Sequence, residues 1–221
     1  MQICYFNSMH PGGDIDLSWA TTDNSTFAAA RSTVDIINGI NGYVPTNSLS
    51  MAWVPSARVV SSTTFLLGKF EQAWSASGRP NFVPVIGGGC SLENAGATAA
   101  VSDLLASVHG HEEGAAVVLF PGGWPESQQV NFARLRIQGA FLIAANATGR
   151  GDGLSNVEFI GGVTIDSLAG QSLTLGWRLG TPKVRAATGS AVSVSPAQCD
   201  VPMPCFRFGT AAGARYSISA G

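Results

Sequence analysis

The chain has 221 residues, of which 45% are hydrophobic and only 12% are charged, and its formal net charge is −2. This composition excludes an intrinsically disordered chain, because so little charge accompanies so much apolar material. The near-neutral charge and the absence of a basic run argue against nucleic-acid binding and against binding to an anionic membrane surface. No apolar run approaches the ~18 residues of a membrane-spanning helix.

The N-terminal segment predicts irregular or partly extended structure over residues 1–22. Met1–Asn7 lacks a basic start and a long apolar stretch, so we expect no signal peptide. Localisation stays open, since either the protein is not exported by that route or the start of a secreted full-length protein is missing. His10-Pro11-Gly12-Gly13 is typical of a turn, where His10 either lines a ligand pocket or lies on the surface.

Two helices are predicted next. The first begins at Asn24 or Ser25, either of which is a suitable cap, and ends near Gly39. The second begins near Pro55 and runs past Trp74 to a stop at Gly78. Trp53 and Trp74 either stack on a sugar or belong to the core.

A glycine-rich loop precedes a third predicted helix. Gly87-Gly88-Gly89 allows a tight backbone path, and an apolar stripe from Ala97 through Leu105 to Val108 indicates a helix after it. Glu93 and Asn94 lie at this loop-to-helix junction, where side chains commonly face a ligand. The alternative for Glu93 is that it only complements the positive end of the helix dipole.

After His109-Gly110-His111 the hydrophobic period changes from helical to alternating. These histidines beside Glu112 and Glu113 are either metal ligands or part of a solvated loop between domains, and no third ligand type is indicated. Short strands separated by glycine or proline turns are then predicted, which is typical of an antiparallel sandwich or barrel. Their ranges are 117–120, 132–137, 140–145, 157–165, 172–177, 183–187, 191–194, 206–208 and 216–218.

Four cysteines lie at positions 4, 90, 199 and 205. Cys199 and Cys205 are close enough in sequence to form a small disulfide loop, although free thiols are equally consistent with the spacing. We expect these two cysteines to pair with each other or stay reduced, rather than to bridge to Cys4 or Cys90. The spacing fits no zinc pattern.

A series of motifs resembles a known enzyme family in its order and spacing. It comprises Gly87-Gly88-Gly89, Leu92-Glu93-Asn94-Ala95-Gly96, Leu119-Phe120-Pro121 with Trp124-Pro125, Gly139–Ala145, and Ile165–Gly170 with Trp177. The series is similar to the end of an (α/α)6-barrel glycoside hydrolase of the family 95 α-L-fucosidase type. It touches nearly the whole chain from about residue 10.

The resemblance implies an α+β fold, in which a few C-terminal helices of an incomplete (α/α)6 barrel are followed by an antiparallel β-sandwich. It places the helical segment at residues 1–112 and the sandwich at residues 113–221. A closed toroid needs twelve helices and this chain offers three, so the missing N-terminal portion of the enzyme would complete it. The chain is thus interpreted as a C-terminal fragment, inactive alone.

The chemistry implied by the resemblance is inverting hydrolysis of a terminal α-linked sugar by a general acid and a general base. Glu93 is the candidate catalytic residue, and Asn94 and His10 are the candidate substrate-binding residues; no metal or other cofactor is expected. Aligning Asn94 and Gly96 with the family's pattern puts Leu92 where its aspartate base belongs, so Glu93 falls one residue later. The expected partner is a carbohydrate substrate. The alternative function is a non-catalytic β-sandwich that binds carbohydrate or supports another domain, and a self-assembling structural protein is a third class.

Overall fold

The computed structural model describes residues 15–39, 52–59, 62–77, 85–86, 89–90 and 95–221. Within these ranges, five α-helices lie in the first half of the chain. In chain order they are α1 (Trp19–Thr22), α2 (Asn24–Gly39), α3 (Trp53–Arg58), α4 (Thr63–Ser77) and α5 (Ala95–Leu105). Among these residues no helix is both long and apolar enough to cross a bilayer.

The start of α2 differs from the sequence prediction in its cap. Asp23, rather than Asn24 or Ser25, accepts the hydrogen bond from the backbone N–H of Thr26 at 3.1 Å. It also accepts the hydroxyls of Ser25 and Thr26, each at 2.7 Å. A carboxylate placed one residue before the helix satisfies the free N–H groups better than an amide within the first turn.

The predicted second helix is two helices. α3 ends at Arg58, and α4 begins at Thr63, where the Ser62 hydroxyl accepts the backbone N–H of Phe65 at 3.0 Å. Helical spacing of apolar residues continues across the break, so periodicity alone does not reveal it. α1 also lies in a segment that was predicted to be irregular.

The described part of the chain also holds fifteen strands, most of them short, which follow or interrupt the helices. They are β1 (Val85–Ile86), β2 (Gly89–Cys90), β3 (Ala106–His109), β4 (Ala116–Leu119), β5 (Gly123–Trp124), β6 (Gln129–Ile137), β7 (Phe141–Gly149), β8 (Gly151–Asp152), β9 (Val157–Ser167), β10 (Leu173–Gly176), β11 (Lys183–Ala186), β12 (Ala191–Val192), β13 (Ser195–Ala197), β14 (Cys205–Phe208) and β15 (Arg215–Ser219).

Two large sheets form a sandwich-like arrangement. One has five strands in the order β13-β14-β10-β4-β3, and the other has six in the order β12-β11-β15-β9-β7-β6. All neighbours are antiparallel except β4 and β10, which pair in parallel. Short two-stranded pairs join β1 to β2 and β5 to β8.

Burial distinguishes the two sheets. Along β7 and β15 every second residue is buried, so the six-stranded sheet covers the core with one face and exposes the other. Every residue of β4 and β10 is buried, so both faces of the five-stranded sheet are covered along these two inner strands. Each strand that was predicted from the alternating pattern is present, with ends shifted by up to four residues.

β3 corrects the sequence prediction. The third helix was predicted to include Val108, but α5 ends at Leu105 and Ala106–His109 pairs antiparallel with β4. Pairing with a strand ten residues away overrides the local helical pattern, because the partner supplies both the hydrogen bonds and the buried face. The helical segment therefore passes directly into the sheet.

Cys199 and Cys205 form a disulfide, with their Cα atoms 6.2 Å apart. Of the two expected outcomes, the structure therefore shows the disulfide between these cysteines and not free thiols. The bond closes the connection between β13 and β14, which are antiparallel neighbours.

The fold is α+β, with helices preceding a strand-rich part, as predicted. The five helices in the described ranges do not close a barrel. The division between residues 112 and 113 stays a prediction, although β3, on the N-terminal side of it, already belongs to the five-stranded sheet.

Candidate functional site

The three residues that the sequence singled out, Glu93, Asn94 and His10, lie outside the described residues. What the structure does describe is the helix that follows the first two, α5, and the surface at its C-terminal end. The candidate site is therefore built from that surface.

A polar cleft of about 570 Å³ lies where α3, α5 and β3 meet. Its volume falls within the range of small-molecule sites. Among the side chains that line it are those of Asp16, Arg58, Asp103, Ser107, His111 and Arg136. Both charge signs are present, so the cleft suits a polar ligand better than an apolar one.

Asp16 lies at the base of this cleft and is almost completely buried. Its carboxylate accepts the backbone N–H of Ser18 at 2.8 Å and that of Gly110 at 3.0 Å. Two backbone N–H groups thus give this buried carboxylate hydrogen-bond partners. Asp16 thereby ties the segment before α1 to the residue that follows β3.

His109 is fully buried beside Asp16, which corrects the prediction of a solvated loop at this position. Burial lowers the pKa of His109 from 6.5 to about 4; the Asp16 carboxylate opposes this lowering and Arg58 adds to it. The imidazole is therefore neutral at pH 7. Its Nδ1 lies 3.7 Å from a carboxylate oxygen of Asp16, beyond hydrogen-bond distance.

Ser107 completes a group that we name the junction cluster: Asp16, Ser107 and His109. The Ser107 hydroxyl lies 2.7 Å from Nε2 of His109. The backbone N–H of Leu17 donates to Nδ1 at 3.3 Å, so this nitrogen carries the lone pair and Nε2 carries the hydrogen. His109 consequently donates to Ser107 and cannot remove its proton.

The junction cluster contains the residue types of a hydrolytic triad without its proton arrangement. In a triad the imidazole donates from Nδ1 to the carboxylate and accepts the serine proton at Nε2. Here Nδ1 of His109 accepts a backbone N–H instead of donating to Asp16, and Nε2 donates to Ser107 instead of accepting its proton. The cluster instead joins the N-terminal segment to β3, and its chemistry is structural.

Two further polar contacts position the helices. Arg58 of α3 donates to Asp103 of α5 at 3.2 Å. Asp152 of β8 accepts the backbone N–H and the hydroxyl of Thr64, both at 3.0 Å, and also the hydroxyl of Ser62. A side chain from the strand-rich part thus caps α4.

Metal binding by His109 and His111 finds no support in the structure. Within the described ranges no three His, Cys, Asp or Glu side chains are grouped as ligands. His109 is already engaged on both ring nitrogens.

Trp53 belongs to the core, which was one of the two alternatives for it; the other was stacking on a sugar. It is 4% exposed and its ring meets that of Phe70 edge-on at 6.2 Å. Phe70 in turn stacks on Trp74 at 6.1 Å. No aromatic side chain whose burial is described falls in the exposed class.

Sequence reasoning missed the junction cluster because it assigned Val108 to a helix. Ser107 and His109 are two residues apart, so they share a face only if the segment is a strand. Reading Ala106–His109 as a strand would have brought them together. No local signal links them to Asp16, which lies more than ninety residues earlier.

Comparison with known proteins gives no assignment. No protein-family model matches the chain. No curated protein matches it significantly.

Proposed function

We propose that this chain is the C-terminal region of an inverting glycoside hydrolase that resembles the family 95 α-L-fucosidases and acts on terminal α-linked sugars. In this proposal Glu93 and Asn94 lie at the active site, and the sandwich holds the last helices of the barrel in position. A carbohydrate is the substrate, and the upstream helices complete the cleft.

The observation that carries the proposal is the direct passage from α5 into the sandwich. Leu105 ends α5 and Ala106 begins β3, with no linker between them. The carbonyl of Leu105 also accepts the backbone N–H of Phe120 at 2.9 Å. The C-terminal end of α5, the helix that follows Glu93 and Asn94, is therefore held by the sheet. A catalytic loop needs a rigid support of this kind, because small displacements of its side chains lower the rate.

The motif around Phe120, one of those that carry the resemblance, occupies a structural position. Phe120 is fully buried, and its ring lies 5.9 to 6.0 Å from those of Trp124, Phe132 and Phe159. Such an aromatic cluster stabilises the sandwich next to α5. This position agrees with the supporting role that the proposal gives to the strand-rich part.

The alternative, a non-catalytic carbohydrate-binding sandwich, finds no specific support as a binder of neutral sugars. Neutral sugars are commonly bound on exposed aromatic rings, and the described aromatics are buried or half-buried. It stays a prediction.

Activity assays test the proposal. We expect the 221-residue chain to show no turnover of aryl α-L-fucosides or of 2-linked fucosyl oligosaccharides, because hydrolysis needs two carboxyl groups at a fixed separation. When the chain is joined to the upstream barrel, we expect turnover, and we expect Glu93→Gln to lower kcat by ~10²-fold or more.

Glu71→Gln is the matched control, since Glu71 is an exposed glutamate of α4. Turnover by the 221-residue chain that Glu93→Gln abolishes would contradict the fragment interpretation. An unchanged kcat for Glu93→Gln in the restored enzyme would instead remove Glu93 from the active site.

A further inference from the structure

The exposed face of the six-stranded sheet gathers four cationic side chains, which we name the basic face: Arg134, Lys183, Arg185 and Arg215. All four residues are exposed, and the residues between them along β11 and β15 are buried. Strand alternation therefore turns Lys183, Arg185 and Arg215 outward together. The chain as a whole has a net charge of −2, so this face differs in sign from the whole chain.

Strand register places these cations close to one another. Lys183 pairs with Ser219, and Arg185 pairs with Ser217, so both lie beside β15. Arg215 lies on β15 itself and pairs with Asp166 of β9. Neighbouring strands are ~4.8 Å apart and same-face neighbours along a strand are ~7 Å apart. Arg185 therefore lies one strand and one same-face step from Arg215, and Lys183 lies one strand and two such steps from it.

A groove connects Arg215 with Arg134. It has a volume of about 410 Å³, and Arg134, Leu142, Asp166 and Arg215 line it. A second groove of about 230 Å³ shares these four residues and adds Thr164. Together they form a continuous concave surface across β6, β7, β9 and β15.

Asp166 is the acidic residue of this surface, and its charge is already matched. Arg215 donates to its two carboxylate oxygens, from Nε at 2.5 Å and from Nη2 at 2.9 Å. This pairing holds the pKa of Asp166 below its usual range. It also fixes the guanidinium of Arg215, whose Nη1 edge remains for a ligand.

Arg134 has no such partner. It makes no hydrogen bond or ion pair with any residue that the structure describes, and it adopts a positive φ of 56° at the irregularity of β6. Counting Asp166, the basic face carries a net charge of about +3. Several guanidinium and ammonium groups on one face suit an anion with several charged groups.

We propose that the basic face binds a polysaccharide that carries sulfate or carboxylate groups. Hydroxyl groups of Thr164, Ser217 and Ser219 lie between the cations and match the hydroxyls of a sugar. A nucleic acid fits less well, because single-stranded binding relies on aromatic rings for base stacking and the residues on this face are not aromatic. This proposal does not depend on the proposed hydrolase activity.

Sequence reasoning argued against binding to nucleic acid and to anionic membranes because the chain has no basic run, and it did not consider anionic polysaccharides. The four cations come from three strands that are up to eighty residues apart, and only the sheet brings them together. A search for basic runs therefore does not detect this face.

Titration calorimetry with dextran sulfate, polygalacturonate and neutral dextran tests the proposal at low salt. We expect binding of one or both anionic polymers, no binding of neutral dextran, and loss of affinity as salt screens the charges. Comparing the two anionic polymers tells sulfate from carboxylate recognition. We expect Arg134→Gln/Lys183→Gln to lower the affinity about tenfold.

Two controls separate a built site from general charge. Arg31→Gln/Lys69→Gln removes the same two charges from α2 and α4, and Arg134→Lys/Lys183→Arg keeps the charge of the face; both should bind within about threefold of the wild type. Failure to bind either anionic polymer, or an equal loss in the helix variant, would overturn the proposal. Tighter binding of a DNA duplex at matched charge would assign the face to nucleic acid instead.

Discussion

His109 shows how one buried side chain can couple the fold to pH. Its imidazole is neutral, accepts the backbone N–H of Leu17 and donates to Ser107. Protonation would place a second hydrogen on Nδ1, against that backbone N–H, and a charge in the interior. Because a charged imidazole is unfavourable in the interior, burial lowers the pKa of His109 to about 4, from 6.5 in the unfolded chain.

We predict that the free energy of unfolding falls as the pH is lowered from 6.5 to 4. In this window the unfolded chain binds a proton that the folded chain does not, so stability rises with pH. The contribution of His109 is complete above about pH 6.5 and is lost by about pH 4, a difference on the order of 3 kcal/mol. Urea denaturation at several pH values measures it.

His109→Gln should flatten this slope, whatever its effect on stability at pH 7. His111→Gln is the matched control, because it replaces an exposed histidine two residues away. A slope that persists in His109→Gln would assign the pH dependence to other groups.

At the residue scale, sequence reasoning predicted the pairing of Cys199 with Cys205 as one of two open outcomes, and it listed the core as one alternative for Trp53. Both depend on short-range information: cysteine spacing and an apolar neighbourhood. The junction cluster depends on a contact between residues 16 and 109, and neither residue has a motif that points to the other. Glu93, Asn94 and His10 stay predictions.

At the element scale, acidic side chains determine where two helices begin. Hydrogen bonds from Ser25 and Thr26 lower the pKa of Asp23 to about 2, so its cap of α2 is intact above its unfolded pKa of 3.8 and is lost as the pH falls towards 2. The Asp152 carboxylate caps α4 from the distant strand β8 by accepting the backbone N–H of Thr64. The second cap also fastens the helical segment to the strand-rich part.

Removal of the Asp152 carboxylate should destabilise the protein through α4. We expect Asp152→Ala to lower the free energy of unfolding by about 1 kcal/mol, the usual effect of losing a helix cap. Asp152→Asn keeps an acceptor oxygen and should lose less. Chemical denaturation of each variant measures the difference.

Glu126→Ala is the control for Asp152→Ala, because it removes an exposed carboxylate from a turn. It should change the free energy of unfolding by less than about 0.5 kcal/mol. If Asp152→Ala changed the free energy of unfolding as little as Glu126→Ala, the contact between β8 and α4 would contribute nothing measurable to stability.

The strands of the six-stranded sheet were predictable because one of its faces is exposed. An alternating pattern survives wherever one side meets water, as along β7 and β15. β3, β5, β8 and β13 were missed, since each has two to four residues and its pairing partner decides its conformation. The break between α3 and α4 was missed because the apolar spacing continues across it.

At the scale of the whole molecule, the helical and strand-rich parts share one core. Buried residues from α2, α3 and α5 belong to the same apolar cluster as those of both large sheets. The sequence placed a division at residue 112, where the hydrophobic period changes. The hydrophobic period changes near residue 112 because α5 has ended before it. The five-stranded sheet, however, has already begun with β3 at Ala106.

Two fragments distinguish these boundaries. We predict that residues 106–221 fold with a cooperative transition of β-type circular dichroism, because most of the buried apolar side chains lie in this range. Residues 115–221 lack β3, which leaves one edge of β4 without its partner strand along four residues. The missing strand bonds should make this shorter fragment less stable by on the order of 2–4 kcal/mol.

The exposed edge of β4 should also make the shorter fragment prone to associate, since an unpaired apolar strand is a template for another chain. Sedimentation of both fragments at matched concentration checks this. Equal midpoints and equal monomer content would place the boundary after residue 112, as the sequence predicted. A disordered spectrum for residues 106–221 would mean that the helices are needed to cover the second face of β4 and β10, which are buried along their whole length.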